Sequence, residues 1–468
     1  MLKAVLLLVY ILMILAVIFL ERKSPTEALL WVLVLVCLPY VGAVLYLVFG
    51  STMAIKLTSF VREKRLDKRL HTIHNSSADT VCAKKISDED IQVIHFNSVY
   101  NKSYPTSYNE ASVFTGGKEH YQALFKDIKE AKECIYMEFY TIHYDVVGKY
   151  LTEALAKKAE EGVKVVVMCD FIANIPTPQK MFAPLTEKGG KVIRIKPYFT
   201  HYRSHRKIVV IDHKISYIGG MNIGKQYANM HKVKNPWRDT QVRMVGSCTA
   251  SLEDFFLQDL LCSVTKKDWE DTVSYVEGIK RPAYDSSDNV CQFIIGGVEN
   301  SREAVKMCYL SMIRSAKKRI RIQTPYFIPD SSILDALKTA AATGVNIELM
   351  IPGIKSGFFL EPVTTYYAGQ LLEYGAKVYK YSGYIHAKTM VVDDELCCIG
   401  SVNMDIRSLT VDDEVCGVFY DNTFVENYIE VFKEDTKHCS EYKWEEYKER
   451  SNKERFKESI FLPFAPLM

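Results

Sequence analysis

The chain has 468 residues, with Lys+Arg 59 against Asp+Glu 56 and a formal net charge of +3. That length allows about three domains, and the near-neutral balance argues against nucleic-acid binding through phosphate neutralisation. The 12 cysteines are scattered without a C-x-x-C pair, so neither a zinc cage nor a disulfide framework is indicated, and reduced thiols in a cytosol are the simplest account.

The chain opens with two apolar runs, Ala4 to Leu20 and Ala28 to Gly50, neither of which carries a charge. Runs of this length read as a transmembrane helical hairpin within residues 1–55. The alternative for the first run is a cleaved signal peptide, but a single Lys makes a poor n-region and no small-x-small site precedes Glu21. Between the runs Arg22 and Lys23 are balanced by Glu21 and Glu27, whereas Lys56, Arg62, Lys64, Arg65, Lys68 and Arg69 follow the second. Both ends of the hairpin are therefore expected to face the cytoplasm. The stretch Arg62 to Arg69 reads as a topology determinant or an anionic-lipid contact, and the two are compatible. Residues 56–110 read as a basic juxtamembrane linker and lead-in.

The remainder divides into two related halves, 111–280 and 281–468. In the first, a helical pattern over Glu119 to Lys132 leads into an apolar strand, Ile135 to Ile142; in the second, Ser301 to Ala316 leads into Arg319 to Thr324. The stretch Leu151 to Val167 then aligns with Ile333 to Leu349 at an offset of 182. Each is an amphipathic helix, a glycine stop at Gly162 or Gly344, and a β-branched run. These are βαβ units, which call for an α/β fold with mostly parallel or mixed sheets. Glu138, inside the first strand, is costly there unless paired, and reads equally as a substrate contact or a buried structural partner.

Chemistry enters in the same frame. His205-Arg-Lys207-Ile-Val-Val-Ile-Asp212 recurs as His386-Ala-Lys388-Thr-Met-Val-Val-Asp393 at an offset of 181, and Ile218-Gly-Gly-Met-Asn222 recurs as Ile399-Gly-Ser-Val-Asn403 at the same offset. One H-x-K-x4-D is a weak signal; two copies in register, each with the same continuation, are specific. If His205 to Ile211 and His386 to Val392 are strands, His and Lys two residues apart project to one side.

These paired motifs resemble the phospholipase D superfamily, in which two halves pack face to face and place both motifs in one cleft. More closely, Trp31 to Gly50, Tyr202 to Lys207, Gly219 to Gly224, Trp237-Arg-Asp239 and Gly400 to Ser408 look like bacterial cardiolipin synthases, and the likeness runs to the apolar ending Phe461 to Met468. Two positions depart from that pattern: Asp412 stands where many members have Asn, and Ser51 where a basic residue is usual. The resemblance implies two duplicated phospholipase D-like α/β/α sandwich halves behind the transmembrane hairpin, in a multi-pass protein of the cell membrane with a cytoplasmic catalytic domain. It implies no metal and no other cofactor. It implies phosphatidylglycerol and other anionic phospholipids of the lipid bilayer as partners, no nucleic acid, and formation of cardiolipin and glycerol from two phosphatidylglycerols. It also points to Asp239 and Glu414 as the carboxylates that orient the histidines, which leaves Asp212 and Asp393, the third letters of the catalytic motif, as anchors at strand ends.

Exchange at a phosphodiester needs a nucleophile, positive charge on the non-bridging oxygens and an acid for the leaving alkoxide. One imidazole attacks phosphorus to give a phosphohistidine while the other protonates the departing glycerol. Lys207 and Lys388 supply charge, and Asn222, Asn403 and Ser401 are expected to donate to the phosphate oxygens. The motif is symmetric; His205 is taken here as the attacking residue. His71, His74, His95, His120, His143, His201, His213, His231 and His438 read as packing or surface residues. Phe358, Phe359, Tyr366, Tyr367, Leu371 and Leu372 read as core at helical spacing or as an acyl-chain entrance. Competing functions are hydrolysis to phosphatidic acid, transfer to another alcohol, a nuclease, disfavoured by charge and by the two apolar runs, and a catalytically dead scaffold, which two complete half-sites oppose. A duplicated chain can complete its site as a monomer, and oligomeric state is left open.

Overall fold

The computed structural model of the chain describes residues 2–19, 25–51, 60, 88–197, 202–230, 236–264, 279–284, 287–297, 303–354 and 357–468. Arg22, Lys23, Lys56, the basic stretch Arg62 to Arg69, His71, His74, His201 and His231 lie outside the described residues.

At the N-terminus, helix Leu2–Phe19 packs on helix Pro25–Cys37, which continues past Leu38 as Pro39–Leu45 and a π-helical turn, Tyr46–Gly50. Pro39 removes a donor from the helix, yet Leu38 N–H still reaches Val34 O at 2.9 Å. Val17, Leu35 and Tyr46 are buried among the three pieces, while Leu8, Leu12, Leu29, Leu33, Val44 and Leu47 are exposed. Among the described residues no helix is long and apolar enough to cross a membrane.

The expected duplication appears as two sheets with the same plan. The first runs Glu110–Phe114, Gln241–Val245, Ile215–Gly219, Ile208–Ile211, Cys134–Phe139, Lys164–Asp170, Lys191–Ile195; the second runs Thr106–Ser107, Val290–Gly296, Glu414–Phe419, Leu396–Gly400, Thr389–Val392, Arg319–Gln323, Asn346–Pro352, Lys377–Tyr381, Cys439–Tyr442. In each, three consecutive strands pair in parallel and the neighbours on the motif side pair antiparallel. The parallel pairs are built by the predicted crossovers. Helix Val146–Glu160 starts at Asp145, whose carboxylate accepts from Val147 N and Gly148 N, and helix Ser331–Ala342 starts at Asp330, which accepts from Ile333 N. Gly162 and Gly344 follow at φ +90° and +96°, the left-handed conformation that ends a helix without a Cβ penalty.

Period-2 alternation divides each strand between two cores. Ile135 and Met137 face outward to helices Gly117–Glu130 and Val146–Glu160; Ile320 and Ile322 do the same in the second half. The opposite faces meet in a shared core, where Tyr136, Ile208 and Val210 pack with Phe293, Val391 and Phe419 around helices Thr249–Ser263 and Asn422–Thr436. The lead-in joins the more distant partner. Helix Asp88–Tyr100 buries Val93 in the second half's core, Asn97 Nδ2 bonds Gln292 Oε1, and Thr106–Ser107 pairs with Val290 and Cys291. The chain then returns at Glu110 to begin the first sheet.

The motif strands are shorter than their patterning suggested, beginning at Ile208 and Thr389. His205 and His386 precede the ladder because their backbone N–H groups bond Asp413 O (2.9 Å) and Arg238 O (2.6 Å) of the opposite half instead of a sheet neighbour. At the far ends of these strands Asp212 and Asp393 both take φ +52°. The Asp212 carboxylate accepts from Lys132, Glu133 and Cys134 N–H, and Asp393 accepts from Lys317, Lys318 and Arg319 N–H. They tie the strand end to the start of its neighbour. Asp393→Ala should lower stability by about 1–3 kcal/mol, the cost of leaving such donors unmet, with turnover at permissive temperature near wild type; a large loss of turnover without a shift in unfolding midpoint would return Asp393 to the chemistry.

Candidate active site

Between the halves, each motif histidine is held by a carboxylate from the other half. His205 Nδ1 lies 2.8 Å from Glu414 Oε1, and His386 Nδ1 lies 2.6 Å from Asp239 Oδ2. The backbone sets this up. His205 N–H is bonded to the carbonyl of Asp413, the residue before Glu414, and His386 N–H to that of Arg238, the residue before Asp239. Short parallel pairings, Ser204 with Asp413 and Tyr384–Ile385 with Trp237–Arg238, carry the register across. With Nδ1 engaged, Nε2 of each ring is left for chemistry.

Both lysines are buried and fold back onto their histidines: Lys207 Nζ donates to His205 O at 2.6 Å and Lys388 Nζ donates to His386 O. The flanks differ. His386 sits among Trp237 (5.0 Å between ring centroids), Tyr227 and Tyr384 (both 6.0 Å), whereas His205 meets the edge of Tyr140 at 4.9 Å. Nothing in the motif pointed to Tyr140 or Tyr227; Tyr384 alone stands within two residues of a motif histidine, His386. Asp412 is paired with Arg407 at 2.9 Å, so the charge it adds near the site is matched.

Of the three residues expected to donate to phosphate, Ser401 is committed elsewhere. It is fully buried, its hydroxyl donates to Glu414 Oε2 and it accepts from Val415 N at 3.0 Å, which makes it a holder of the carboxylate. Its counterpart Gly220 leaves no such room, since a Cβ there would stand 2.2 Å from Asp239 Oδ1; Thr240 N–H takes that oxygen at 2.7 Å. Asn222 accepts from Thr141 N–H and donates one amide hydrogen to Tyr227 Oη. Asn403 is buried with its Oδ1 unpartnered within the protein. Glu138 is fully buried behind the site and accepts from Ser204 Oγ at 2.7 Å, a structural position in which burial, then Asp259, holds its carboxyl well above the usual range. The other described histidines make their contacts elsewhere: His213 pairs with Glu253, His143 bonds Gln226 at 2.6 Å, His120 lies among Phe114, Tyr121 and Tyr217, and His95 and His438 are at the surface. Leu371 and Leu372 join the core, while Phe358 and Phe359 are exposed.

Burial dominates the electrostatics. It lowers Lys207 to about 7 and Lys388 to about 8, drops His386 to about 3 with help from Lys388, and with both lysines holds His205 well below its ordinary value. Burial also lifts Glu414 to about 7. Asp239 differs: burial opposes its ionisation, but Lys388, His386 and the Thr240 N–H outweigh it and keep the carboxyl below the usual range. Burial is the first cause in each case, and an anion placed against these lysines and histidines would raise them again.

The comparisons agree in kind. Residues 124–233 and 309–436 match the family model described as "Cardiolipin synthase, PLD-like domain", and 8–51 match "Phospholipase_D-nuclease N-terminal". The chain is 34% identical over 474 residues to the "Major cardiolipin synthase ClsA" of Bacillus subtilis (strain 168), covering 98% of this chain and 97% of that one. It is 34% identical to a "Cardiolipin synthase" of Staphylococcus aureus (strain Mu50), covering 97% and 93%. Among solved structures, phosphatidylserine synthase of Haemophilus influenzae Rd KW20 shares the fold, with a TM-score of 0.62 at 15% identity over 80% of this chain and 97% of that one.

Two outcomes are expected. Inorganic phosphate binding at pH 8 should take up protons, because Lys207 and Lys388, lowered by burial to about 7 and about 8, are largely and partly neutral at that pH and are recharged by the anion; affinity should fall as pH rises through 8. Titration calorimetry in buffers of different ionisation enthalpy reads this directly, and heats independent of buffer would contradict it. Glu414→Gln should leave the unfolding midpoint nearly unchanged and cut turnover by about a hundredfold, as loss of an orienting partner does; full activity would make Glu414 purely structural.

Proposed function

Because the chain belongs to the cardiolipin synthase family of paired phospholipase D-like domains, we propose that it moves a phosphatidyl group from one phosphatidylglycerol to the terminal hydroxyl of another, releasing glycerol. The observation that carries the reading is the reciprocal pairing of His205 with Glu414 and His386 with Asp239. One neutral imidazole attacks phosphorus through Nε2, and the P–O bond to glycerol breaks as the second imidazole delivers a proton to that oxygen. The second imidazole then takes the proton of the incoming hydroxyl, whose oxygen forms the new P–O bond while the P–N bond breaks. Lys207, Lys388 and Asn403 are the groups available to the non-bridging oxygens. His386 is assigned the acid role, since Asp239 is the more firmly ionised partner and an ionised partner best supports the imidazolium that burial and Lys388 oppose and that an anionic substrate would favour. His205 is then the nucleophile.

The first fifty residues are read as an anchor hairpin, in a multi-pass protein of the cell membrane whose catalytic domain faces the cytoplasm. Support comes from two uncharged runs, the match of 8–51 to the family's N-terminal model, and the basic residues that follow the second run. The kinked helix from Pro25 to Gly50 amounts to about 39 Å at 1.5 Å per residue, and its side chains are largely exposed, as lipid-facing ones are. An anchor suits a substrate whose acyl chains stay in the bilayer.

Phosphatidylglycerol labelled at phosphorus, quenched in alkali where phosphohistidine persists, should mark the wild type and the His386→Ala protein, and never His205→Ala. Label on His386 in the His205→Ala protein would reverse the assignment, and full turnover with no label in any protein would remove the covalent step. Turnover should also persist in EDTA; loss that a divalent ion restores would overturn the lysine-based account.

A further inference from the structure

The C-terminal segment ends the chain with its apolar side chains turned outward. Helix Asn452–Phe461 starts at a capping box, Ser451 with Glu454, and buries Glu458 and Phe461. Phe461 and Ala465 pack with Ile328 and Val363. Its other face presents Phe456 (66% exposed), Ile460 and, past the helix, Phe464 (51% exposed), at i, i+4 and i+8. Phe358 and Phe359 join this surface through Phe461, with ring centroids 5.3 and 5.0 Å from it, and both are more than half exposed. A cluster of exposed aromatics is expensive to leave in water.

Within 452–468 three cations, Lys453, Arg455 and Lys457, stand against two carboxylates, Glu454 in the capping box and Glu458 held by Arg450 at 2.8 Å, while Glu361 and Glu446 lie on the Phe358 side. Arg455 spends its donors on the carbonyls of Lys448 and Arg450, and Lys457 lies over the Phe358 ring. Aromatic rings carried on a helix that also bears Lys453, Arg455 and Lys457 suit the interfacial zone of a bilayer, where rings enter the headgroup boundary and cations meet phosphate. The location fits too. Ile406, packed against this cluster, begins the helix whose Arg407 pairs with Asp412, two residues before the histidine's carboxylate Glu414.

We propose that residues 452–468, with Phe358 and Phe359, form a membrane-contact surface separate from the N-terminal hairpin, which seats the catalytic domain on anionic lipid with the His205 side of the cleft close to the bilayer. The part about the cleft rests on the lipid-transfer reading above; the contact itself does not.

The test uses the full chain in phosphatidylglycerol vesicles containing a photoactivatable phospholipid. Cross-links should map to 452–468 and to Phe358 and Phe359 as well as to the N-terminal runs; none in the C-terminal segment, or chain-to-chain cross-links there in their place, would overturn the proposal. The double variant Phe456→Glu, Phe464→Glu should keep its activity on monomeric short-chain phosphatidylglycerol within about twofold and lose about tenfold or more on vesicles, as lost interfacial burial predicts. Equal loss on both substrates, or on neither, would refute it. Lipid cross-links at the segment in a wild type that makes no cardiolipin would leave the contact standing and defeat the functional reading instead.

Discussion

A histidine that serves as nucleophile or acid needs its second nitrogen held, and here neither half can do that for its own histidine. His205 leans on Glu414 and His386 on Asp239, each across the interface. The rest of the site follows from this exchange. The motif strands start late because the residues before them bond the opposite half, and the two short parallel pairings exist to bring one carboxylate to one imidazole on each side. The shared core of Tyr136, Val391, Phe419 and their neighbours then has a functional as well as a cohesive part, since its packing fixes the distance between halves. A shift of an ångström there would break both pairs together.

The exchange is symmetric in layout and asymmetric in chemistry. Ser401 lets Glu414 share its second oxygen with a hydroxyl, whereas Gly220 admits Asp239 so closely that no side chain fits. One carboxyl is lifted toward neutrality and the other stays ionised. The difference comes from the balance against burial: at Glu414 burial outweighs Lys207 and the Ser401 hydroxyl, which pull the other way, whereas at Asp239 Lys388, His386 and the Thr240 N–H outweigh burial. The aromatic wall at His386 and the Arg407–Asp412 pair near His205 extend that difference to the walls of the cleft.

Much of this was legible in the chain. The offset of 181 located both half-sites, and the helix, glycine and β-branched run predicted the parallel crossovers that the two sheets contain. What was not legible is what depends on contact between the halves. A periodicity argument extends a strand as long as alternation lasts, so His205 to Ile211 read as ladder; only the competing bond to Asp413 ends it. Ser401 looked like a phosphate donor by composition, yet a hydroxyl has one proton and Glu414 takes it. Likewise residues 88–107 carry no mark of their allegiance: the burial of Val93 and the pairing of Thr106 are settled by surfaces nearly two hundred positions later.

That last arrangement bears on how the chain is made. Synthesis proceeds from the N-terminus at roughly 5–20 residues per second, so helix Asp88–Tyr100 leaves the ribosome about 10–40 seconds before its partner Val290–Gly296 can. Over that interval the first half can close its own sheet, but its neighbour in sequence cannot dock. The lead-in must wait, beside whatever the preceding apolar runs are attached to, until the second sheet forms and captures it through Asn97 and Gln292. Assembly therefore closes like a clasp: the segment made before the first half is fastened only after that half is made, and fastening it ties the lead-in to the second sheet.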